Sequence, residues 1–301
     1  MGEIFSFFNQ KGGVGKTTSA VNIAAVAAQE GLKVLLIDLD SQGNATSGLG
    51  LEKDDNELTA YQLLVENASI QSCIKNTVVD KLDVIPSNSH LSGAEMHLIN
   101  MEKREFVLRT GMEKIRSEYD LIILDCPPSL GLVSINALTA SKYIIIPLQC
   151  EYYALEGLGQ LLNTYQLVKK NLSADIELGG VILTMADFRT NLTQQVIEEV
   201  KNYFKEKVFT TVIPRSVKLS EAPSFGKPAV IYDPSGRGSQ CYAQLAHEFL
   251  ERFGFSVQGA TAADLPCPVA ETTVTNNAGS EAIISEGQVS DEQPHQDSAN
   301  S

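Results

Sequence analysis

A glycine-rich stretch directly after an apolar run decides the fold, and it reads Lys11-Gly12-Gly13-Val14-Gly15-Lys16-Thr17-Thr18. Glycines let a backbone curl so that successive N–H groups point inward and cradle a polyphosphate. Helix formers continue from Thr17, so a helix N-terminus also faces the anion. Lys16 is then placed to reach the β- and γ-phosphates, and the Thr17 hydroxyl to ligate Mg²⁺. The stretch predicts a phosphate loop between a strand and a helix.

Short aliphatic runs alternate with longer amphipathic stretches along the whole chain. Runs such as 34–37 and 121–124 are apolar throughout, as strands are in a sheet that is covered on both faces. The alternation predicts a doubly wound, mostly parallel α/β sheet flanked by helices, of the P-loop NTPase type. The predicted strands are Ile4–Phe8, Lys33–Asp38, Leu82–Pro86, Leu121–Asp125, Tyr143–Pro147, Gly180–Thr184 and Thr211–Ile213. The predicted helices are Thr17–Gln29, Asn100–Ser117, Leu155–Lys170, Leu192–Phe204 and Gln240–Phe253.

The charge of the chain is unevenly distributed. Its 301 residues carry a formal net charge of −14, which argues against an unspecific affinity of the whole surface for nucleic acid. Residues 256–301 contain seven acidic residues and no lysine or arginine, so they hold half of that charge. Because this segment is polar and lacks aromatic residues, it cannot bury enough apolar area to offset its ordering entropy. We expect one folded domain over residues 1–255 and a disordered acidic tail over 256–301.

Composition argues against a membrane-spanning protein and against a zinc-binding protein. Hydrophobic residues make up 43% and charged residues 20% of the chain, as in an ordinary globular protein. No stretch of 18 apolar residues occurs, so we expect no membrane span. The five cysteines lie far apart and form no C-x-x-C pair, so the sequence predicts no zinc site.

Aspartates follow two of the apolar runs. Asp38 and Asp40 come at the end of the run 34–37, and Asp125 ends the run 121–124. Since ligands of doubly wound sheets lie beyond the carboxyl ends of the strands, we expect these aspartates to converge on the phosphate loop. A carboxylate there can hold Mg²⁺, directly or through water, or position the attacking water. The alternative for Asp38 or Asp40 is a helix N-cap.

The phosphate loop departs from the strict pattern G-x-x-x-x-G-K-[ST], because Gln10 occupies the first glycine position and Lys11 adds a second lysine. This variant resembles the deviant Walker A motif of the ParA/MinD family of ATPases. The resemblance implies that Lys11 is the signature lysine, which crosses a dimer interface to the nucleotide of the partner subunit. It also implies that Asp40 positions or activates the hydrolytic water and that Asp38 supports the site. The family's usual D-x-D-P-Q-G-N departs here only at Ser41, where proline is common.

Two later segments are similar to segments of chromosomal ParA proteins of the Soj type. Residues 213–228 match a stretch whose Pro214 and neighbouring Arg215 the family places near the adenine base. Residues 184–191 match the segment that holds the family's DNA-contacting arginine. Residues 1–255 carry the remaining net charge of −7. They can therefore bind DNA phosphates only if their few cations are concentrated on one face. The candidate DNA-contacting residues are Arg189, Arg215 and Lys218.

The resemblance runs from about residue 4 to residue 253, and it implies a ParA-type partitioning ATPase with slow intrinsic turnover. ATP and Mg²⁺ would be its cofactors. An ATP-bound sandwich homodimer would bind nonspecific double-stranded DNA, and a ParB-like centromere-binding protein would stimulate hydrolysis and release it. The protein would be cytoplasmic and nucleoid-associated, without membrane binding. By this resemblance and the spacing, the catalytic residues are Lys11, Lys16 and Asp40, the metal ligands are Thr17 and Asp125, and Gly12–Thr18, Asp38, Pro214 and Arg215 bind the nucleotide.

Other interpretations use the same motifs. A membrane-bound regulator of the MinD kind needs a basic amphipathic C-terminal helix, whereas residues 256–301 are acidic and polar. A bacterial tyrosine kinase of related fold needs a tyrosine cluster in its tail, and no tyrosine follows Tyr242. The nitrogenase iron protein needs two ligand cysteines, and Cys126 and Cys150 lie outside its motifs. A nucleotide-gated scaffold that positions another cargo stays open, as do the replicon and the identity of the partner.

Overall fold

The computed structural model describes residues 2–55, 57–151, 154–173 and 175–256, and of residues 154–158 it describes the backbone only. The predicted acidic tail therefore lies outside the described residues except for its first residue. The boundary between a folded domain and a tail stays a prediction.

The described strands form one sheet in the order β3-β4-β2-β5-β1-β6-β7, and β3 is the antiparallel member, paired with β4. Each parallel pair joins strands that are separated in sequence by helices, which is the doubly wound arrangement. The predicted fold class is confirmed. The strands are β1 (Glu3–Phe7), β2 (Val34–Asp38), β3 (Lys75–Asn76), β4 (Leu82–Ile85), β5 (Leu121–Asp125), β6 (Tyr143–Gln149) and β7 (Glu177–Thr184).

Helices cover both faces of this sheet. Among the described residues, no helix combines the length and the apolar character needed to cross a bilayer. The helices are α1 (Lys16–Gln29), α2 (Asn44–Gly48), α3 (Ala60–Val65), α4 (Ile70–Cys73), α5 (Ala94–Leu98), α6 (Val107–Met112), α7 (Leu132–Ala140), α8 (Ala154–Asn171), α9 (Asn191–Phe204), α10 (Val217–Glu221), α11 (Ala229–Tyr232) and α12 (Arg237–Arg252).

The two faces of the sheet bury separate cores, and β2 illustrates why its sequence is apolar throughout. Leu35 and Ile37 belong to the core that α3 to α9 cover. Val34 and Leu36 belong to the core that α1 and α12 cover. Because successive side chains of a strand point to opposite faces, a strand covered on both sides needs apolar residues at every position.

One predicted strand is wrong. Residues 211–213 do not form a strand but run along the outer edge of β7 with isolated pairings, Val208 opposite Val181 and Pro214 opposite Ala186. The N–H of Ile213 donates to the carbonyl of Leu183 at 2.9 Å and the N–H of Arg215 to the carbonyl of Ala186 at 3.1 Å, so the segment is held against this edge without forming a regular strand. The other six predicted strands are present within three residues at each end.

The predicted helix over 100–117 is also wrong, because only Val107–Met112 is α-helical. Asn136 of α7 binds this segment, and the residues before α6 follow a non-helical path. Asn136 donates from Nδ2 to the carbonyl of Arg104 at 2.6 Å, and its Oδ1 accepts the N–H of Leu108 at 3.1 Å. Lys103 has a left-handed φ of 53°, which ends any continuous helix through this segment.

Candidate nucleotide-binding site

The phosphate loop connects β1 to α1 at the carboxyl edge of the sheet. Gly13 and Gly15 have left-handed φ angles of 71° and 84°, which favour glycine, so the loop could not curl with other residues without strain. Thr184 at the end of β7 donates from Oγ1 to the carbonyl of Val14 at 2.9 Å. α1 begins directly after Gly15, and its first N–H groups face the interior of the loop. This is the geometry of an anion cradle.

Lys16 is buried within the loop, with 6% of its surface exposed. Its Nζ donates to the carbonyl of Lys11 at 3.2 Å, across the curl of the loop. Burial lowers the pKa of Lys16, and the charge of Asp125 opposes that shift. A desolvated ammonium group in this position interacts more strongly with a phosphate than a solvated one does.

Asp125 at the end of β5 is fully buried and lies in register with Asp38 of β2. Neither of its carboxylate oxygens has a hydrogen-bond partner of normal geometry among the described residues. Burial raises the pKa of Asp125 well above its usual range, and the neighbouring charge of Asp38 adds to this, while Thr17 and Lys16 oppose it. A buried carboxylate without partners is costly unless a cation or water satisfies it. Oxygen donors from Asp125 and Thr17 therefore fit a hydrated Mg²⁺ ion.

Asp38, by contrast, is fully engaged by the protein itself. Its Oδ2 accepts the N–H and the hydroxyl of Thr46, each at 2.8 Å, and its Oδ1 accepts the N–H of Asp40 at 3.1 Å. Burial raises the pKa of Asp38 to about 6, and the hydrogen bonds from Thr46 oppose the shift. The N-cap of α2 is Gly43, but Asp38 satisfies a first-turn N–H of this helix from outside it. Asp38 thus anchors α2 at the edge of the site.

Asp40 lies two residues beyond β2 and is half-buried. Its backbone is held in a tight turn, because the N–H of Gly43 donates to its carbonyl at 2.8 Å. Its Oδ1 accepts the N–H of Gln42 at 3.0 Å. The charge of Asp40 acts on the pKa of both Lys16 and Asp125, so these groups share one site.

The side chain of Lys11 points away from its own loop. Its Nζ lies 3.5 Å from Oε2 of Glu151, and 40% of the side chain is exposed. The other oxygen of that carboxylate, Oε1, lies 3.3 Å from Nη2 of Arg215. The backbone N–H of Lys11 donates to Oδ1 of the buried Asn9 at 3.0 Å, and Asn9 in turn donates to the carbonyl of Pro147 at 2.8 Å.

A cavity of about 460 Å³ adjoins the loop, which is large enough for a nucleotide. Thr17 and Thr18 line one side of it, and Pro214 and Arg215 line another, where the sequence placed them. The remaining wall includes Asn44, Met185, Leu219 and Pro223.

The three candidate DNA-contacting cations are each paired with a carboxylate. Arg189 is 88% exposed on its side chain and binds Asp187 through two hydrogen bonds, at 2.8 Å and 2.6 Å. This pairing lowers the pKa of Asp187 to about 2. Lys218 on α10 lies 2.8 Å from Oε2 of Glu221, and Arg215 binds Glu151 as described above. Among the described residues no contact joins Arg189 to Lys218.

Sequence reasoning missed the residues that support this site, namely Asn9, Thr46, Glu151 and Thr184. Thr184 begins the segment 184–191 that the sequence analysis used, but no role was assigned to it there, and the other three lie outside the motifs. Only Asn9, adjacent to the loop, offered a signal, since its short polar side chain can bind a nearby backbone N–H.

Comparisons with known proteins agree with this geometry. A family model described as an AAA domain matches residues 2–178. The sporulation initiation inhibitor protein Soj of Bacillus subtilis (strain 168) is 58% identical over 248 residues, covering 82% of this chain and 98% of that protein. The chromosome partitioning protein ParA of Myxococcus xanthus is 49% identical over 252 residues, covering 84% and 89%. The crystal structure of cobyrinic acid a,c-diamide synthase from Mycobacterium smegmatis with a bound ATP analog and magnesium has a TM-score of 0.75 at 32% identity, covering 84% and 96%.

Fold and site together define a P-loop ATPase with an AAA domain. Within that class, the chain belongs to the Soj/ParA family of chromosome partitioning proteins. It matches 98% of the length of the Soj relative and 89% of the length of the ParA relative. The resemblance drawn from the deviant phosphate loop is confirmed.

Proposed function

We propose that this ATPase is a nucleotide-gated switch for DNA partitioning. ATP and Mg²⁺ bind at the carboxyl edge of the sheet, and two subunits close around their nucleotides. The closed dimer binds nonspecific double-stranded DNA, and a ParB-like partner stimulates hydrolysis and so releases it. The observation that carries this proposal is the contrast between the two lysines of the loop. Lys16 is buried and turned inward, whereas Lys11 is half-exposed and turned outward.

The nucleotide chemistry follows from the loop. Gly12–Thr18 provide inward N–H groups for the phosphates, and Lys16 provides a desolvated positive charge. Thr17 and the unpartnered oxygens of Asp125 hold Mg²⁺, which neutralises phosphate charge when bound. The cavity lined by Pro214 and Arg215 takes the base and sugar.

Asp40 is the group that positions the hydrolytic water. It is half-buried and has one oxygen engaged by Gln42, so the rest of its carboxylate is available to a water molecule. Asp38 plays a supporting role, since both of its oxygens accept hydrogen bonds from the protein.

Lys11 provides the contact between subunits. An exposed ion pair at 3.5 Å contributes only about 0.2–1 kcal/mol, so the Glu151 carboxylate holds Lys11 weakly. A triphosphate carries several negative charges and attracts the ammonium group more strongly than a single carboxylate does. Lys11 therefore leaves Glu151 for the nucleotide of a second subunit, and loss of the γ-phosphate weakens that contact.

DNA binding rests on Arg189, Arg215 and Lys218. Because residues 1–255 have a negative net charge, these cations bind DNA only where dimer formation brings two sets of them onto one duplex. We propose that the ATP-bound protein is associated with the nucleoid in the cytoplasm, and that the partner acts on this state.

Sedimentation of the wild type, Lys11→Ala and Asp40→Ala with and without ATP and Mg²⁺ tests the proposal. We expect a dimer for the wild type with ATP, a monomer for Lys11→Ala, and a persistent dimer for Asp40→Ala. A filter-binding assay with random-sequence duplex DNA should follow the same pattern. Equal DNA affinity with ATP, with ADP and without nucleotide would overturn the switch.

A further inference from the structure

We propose that Thr46 is a positioning residue for ATP hydrolysis, which acts through Asp38 on the backbone of Asp40. The inference rests on the proposed role of Asp40 and adds a residue that no motif in the sequence assigned. Thr46 contributes no atom to the lining of the nucleotide cavity, although its helix α2 lines that cavity with Asn44 and Gly48.

Every hydrogen-bonding group on the Thr46 side chain is used. Its hydroxyl donates to Oδ2 of Asp38 at 2.8 Å and accepts the N–H of Ser87 at 2.9 Å. Since a hydroxyl has a single proton, the bond from Ser87 directs that proton toward Asp38. Thr46 is fully buried, so water does not replace these bonds. The side chain thereby ties the residues after β2 to those after β4.

The Asp38 carboxylate transmits this restraint to Asp40. Its Oδ2 is held by Thr46, and its Oδ1 accepts the N–H of Asp40 at 3.1 Å. A carboxylate is planar, so fixing one oxygen fixes the direction in which the other accepts. Within the described part of the chain, the other hydrogen bonds of Asp40 lie in its own turn, from the N–H groups of Gln42 and Gly43. The Asp38 carboxylate is therefore a side-chain link between this turn and the sheet, beside the backbone bond from the N–H of Leu39 to the carbonyl of Asp125 at 2.9 Å.

Thr46 also keeps the carboxylate of Asp38 from turning toward the neighbouring Asp125. Asp38 and Asp125 lie side by side at the ends of paired strands, and the oxygens of Asp125 are unpartnered among the described residues. If the hydroxyl of Thr46 were lost, only the N–H of Thr46 would still donate to Oδ2, and the orientation of the Asp38 carboxylate would be less tightly restrained. Asp40 would then lose its alignment, while the phosphate loop would keep its own geometry. The effect should fall on turnover and not on nucleotide affinity.

Thr46→Val removes the hydroxyl and retains the shape of the side chain, and Thr46→Ser retains the hydroxyl. Thr139→Val is a matched control, because Thr139 is equally buried and its hydroxyl donates to the carbonyls of Glu105 and Asn136, outside the nucleotide site. We expect Thr46→Val to lower the steady-state turnover of ATP roughly tenfold, the equivalent of one hydrogen bond to a charged group, with little change in KM. Thr46→Ser should restore most of it.

A second measurement separates positioning from general destabilisation. If Thr46 acts through Asp40, Thr46→Val should lengthen the lifetime of the ATP-bound dimer, as we expect of Asp40→Ala, whereas a loosened fold would shorten it. Thr139→Val should lower the unfolding temperature to a similar extent and leave both turnover and dimer lifetime unchanged. Should Thr46→Val be insoluble, Thr46→Ala against Thr139→Ala provides the same comparison.

Wild-type turnover in Thr46→Val, an equal loss in Thr139→Val, or no recovery in Thr46→Ser would overturn the role of Thr46. A wild type that hydrolyses ATP but never forms a dimer would instead contradict the proposed switch. In that case the turnover comparison alone still decides whether Thr46 positions Asp40.

Discussion

The ammonium group of Lys11 lies 3.5 Å from the carboxylate of Glu151, two residues beyond the end of β6. The same carboxylate binds Arg215 at 3.3 Å and accepts a hydrogen bond from Nε2 of Gln149 at 2.6 Å. One acidic side chain thus holds two cations that we expect to act outside the subunit. Any binding that uses these cations must first separate them from Glu151.

Removing the charge of Glu151 should favour dimer formation. In Glu151→Gln, Lys11 no longer has to break an ion pair, so we expect the ATP-dependent dimer to form at about threefold lower protein concentration, the scale of one exposed ion pair. Analytical ultracentrifugation over a concentration series measures this. Glu177→Gln, at the exposed start of β7, is the control for net charge. Weaker dimerisation of Glu151→Gln would mean that Glu151 itself contributes to the interface.

Removing the partner of Arg189 should strengthen DNA binding. The two hydrogen bonds from Arg189 to Asp187 must be exchanged for phosphate contacts, and Asp187→Asn abolishes that competition while an asparagine can still cap the turn. We expect tighter binding of the ATP-bound form to random duplex DNA, with a salt dependence steeper by about one counterion.

The control for this variant is Glu199→Gln, which removes one exposed negative charge from α9. A general effect of net charge would change both variants equally. A loss of affinity in Asp187→Asn would show instead that Asp187 holds Arg189 in the orientation that contacts DNA.

Asp125→Asn should stabilise the nucleotide-free protein. The pKa values of Asp38 and Asp125 are raised in the folded state, so the folded protein binds more protons than the unfolded chain, and stability falls as pH rises through about 6. Removing one buried charge should therefore add about 2 kcal/mol at pH 7.5, or about 4–8 °C in unfolding temperature, and less at pH 5.

Thermal unfolding in EDTA at both pH values measures the effect, with the exposed Asp80→Asn as control. The same variant should no longer be stabilised by ATP with Mg²⁺. An unchanged or lower unfolding temperature at pH 7.5 would contradict an uncompensated charge at Asp125.

Gly50→Ala should destabilise the segment just after α2, whose Gly48 lines the nucleotide cavity. Gly50 has a left-handed φ of 86°, and an added Cβ would lie 2.5 Å from Cγ1 of Val78 and 3.1 Å from the carbonyl of Gly226. We expect a cost of about 1–3 kcal/mol in urea denaturation and a raised KM for ATP. In contrast, Gly159→Ala within α8 meets no atom within 4 Å and should gain about 0.5–1 kcal/mol. Equal stability of both variants would contradict the backbone strain.

Six of the seven described strands, the phosphate loop and the aspartates at the strand ends could be predicted from the amino-acid sequence alone. These features are local, because an apolar run of strand length or a glycine spacing is visible within a few residues. The wrong helix prediction, by contrast, has a cause that no local pattern contains. Residues 100–117 have a helical pattern, but Asn136 binds the carbonyl of Arg104 from 32 positions away.

Which aspartate is free and which is bound depends on contacts that form only in the folded chain. Asp38 and Asp125 end similar apolar runs, yet Thr46 donates two hydrogen bonds to one carboxylate, and no described residue makes a hydrogen bond of normal geometry to the other. Likewise, the deviant phosphate loop predicts different roles for Lys16 and Lys11, but only the folded chain shows that Glu151, 140 positions further on, is the partner of Lys11. Hydrogen bonds and ion pairs between distant residues arise from packing, and the availability of a side chain for chemistry depends on whether such a partner is within reach.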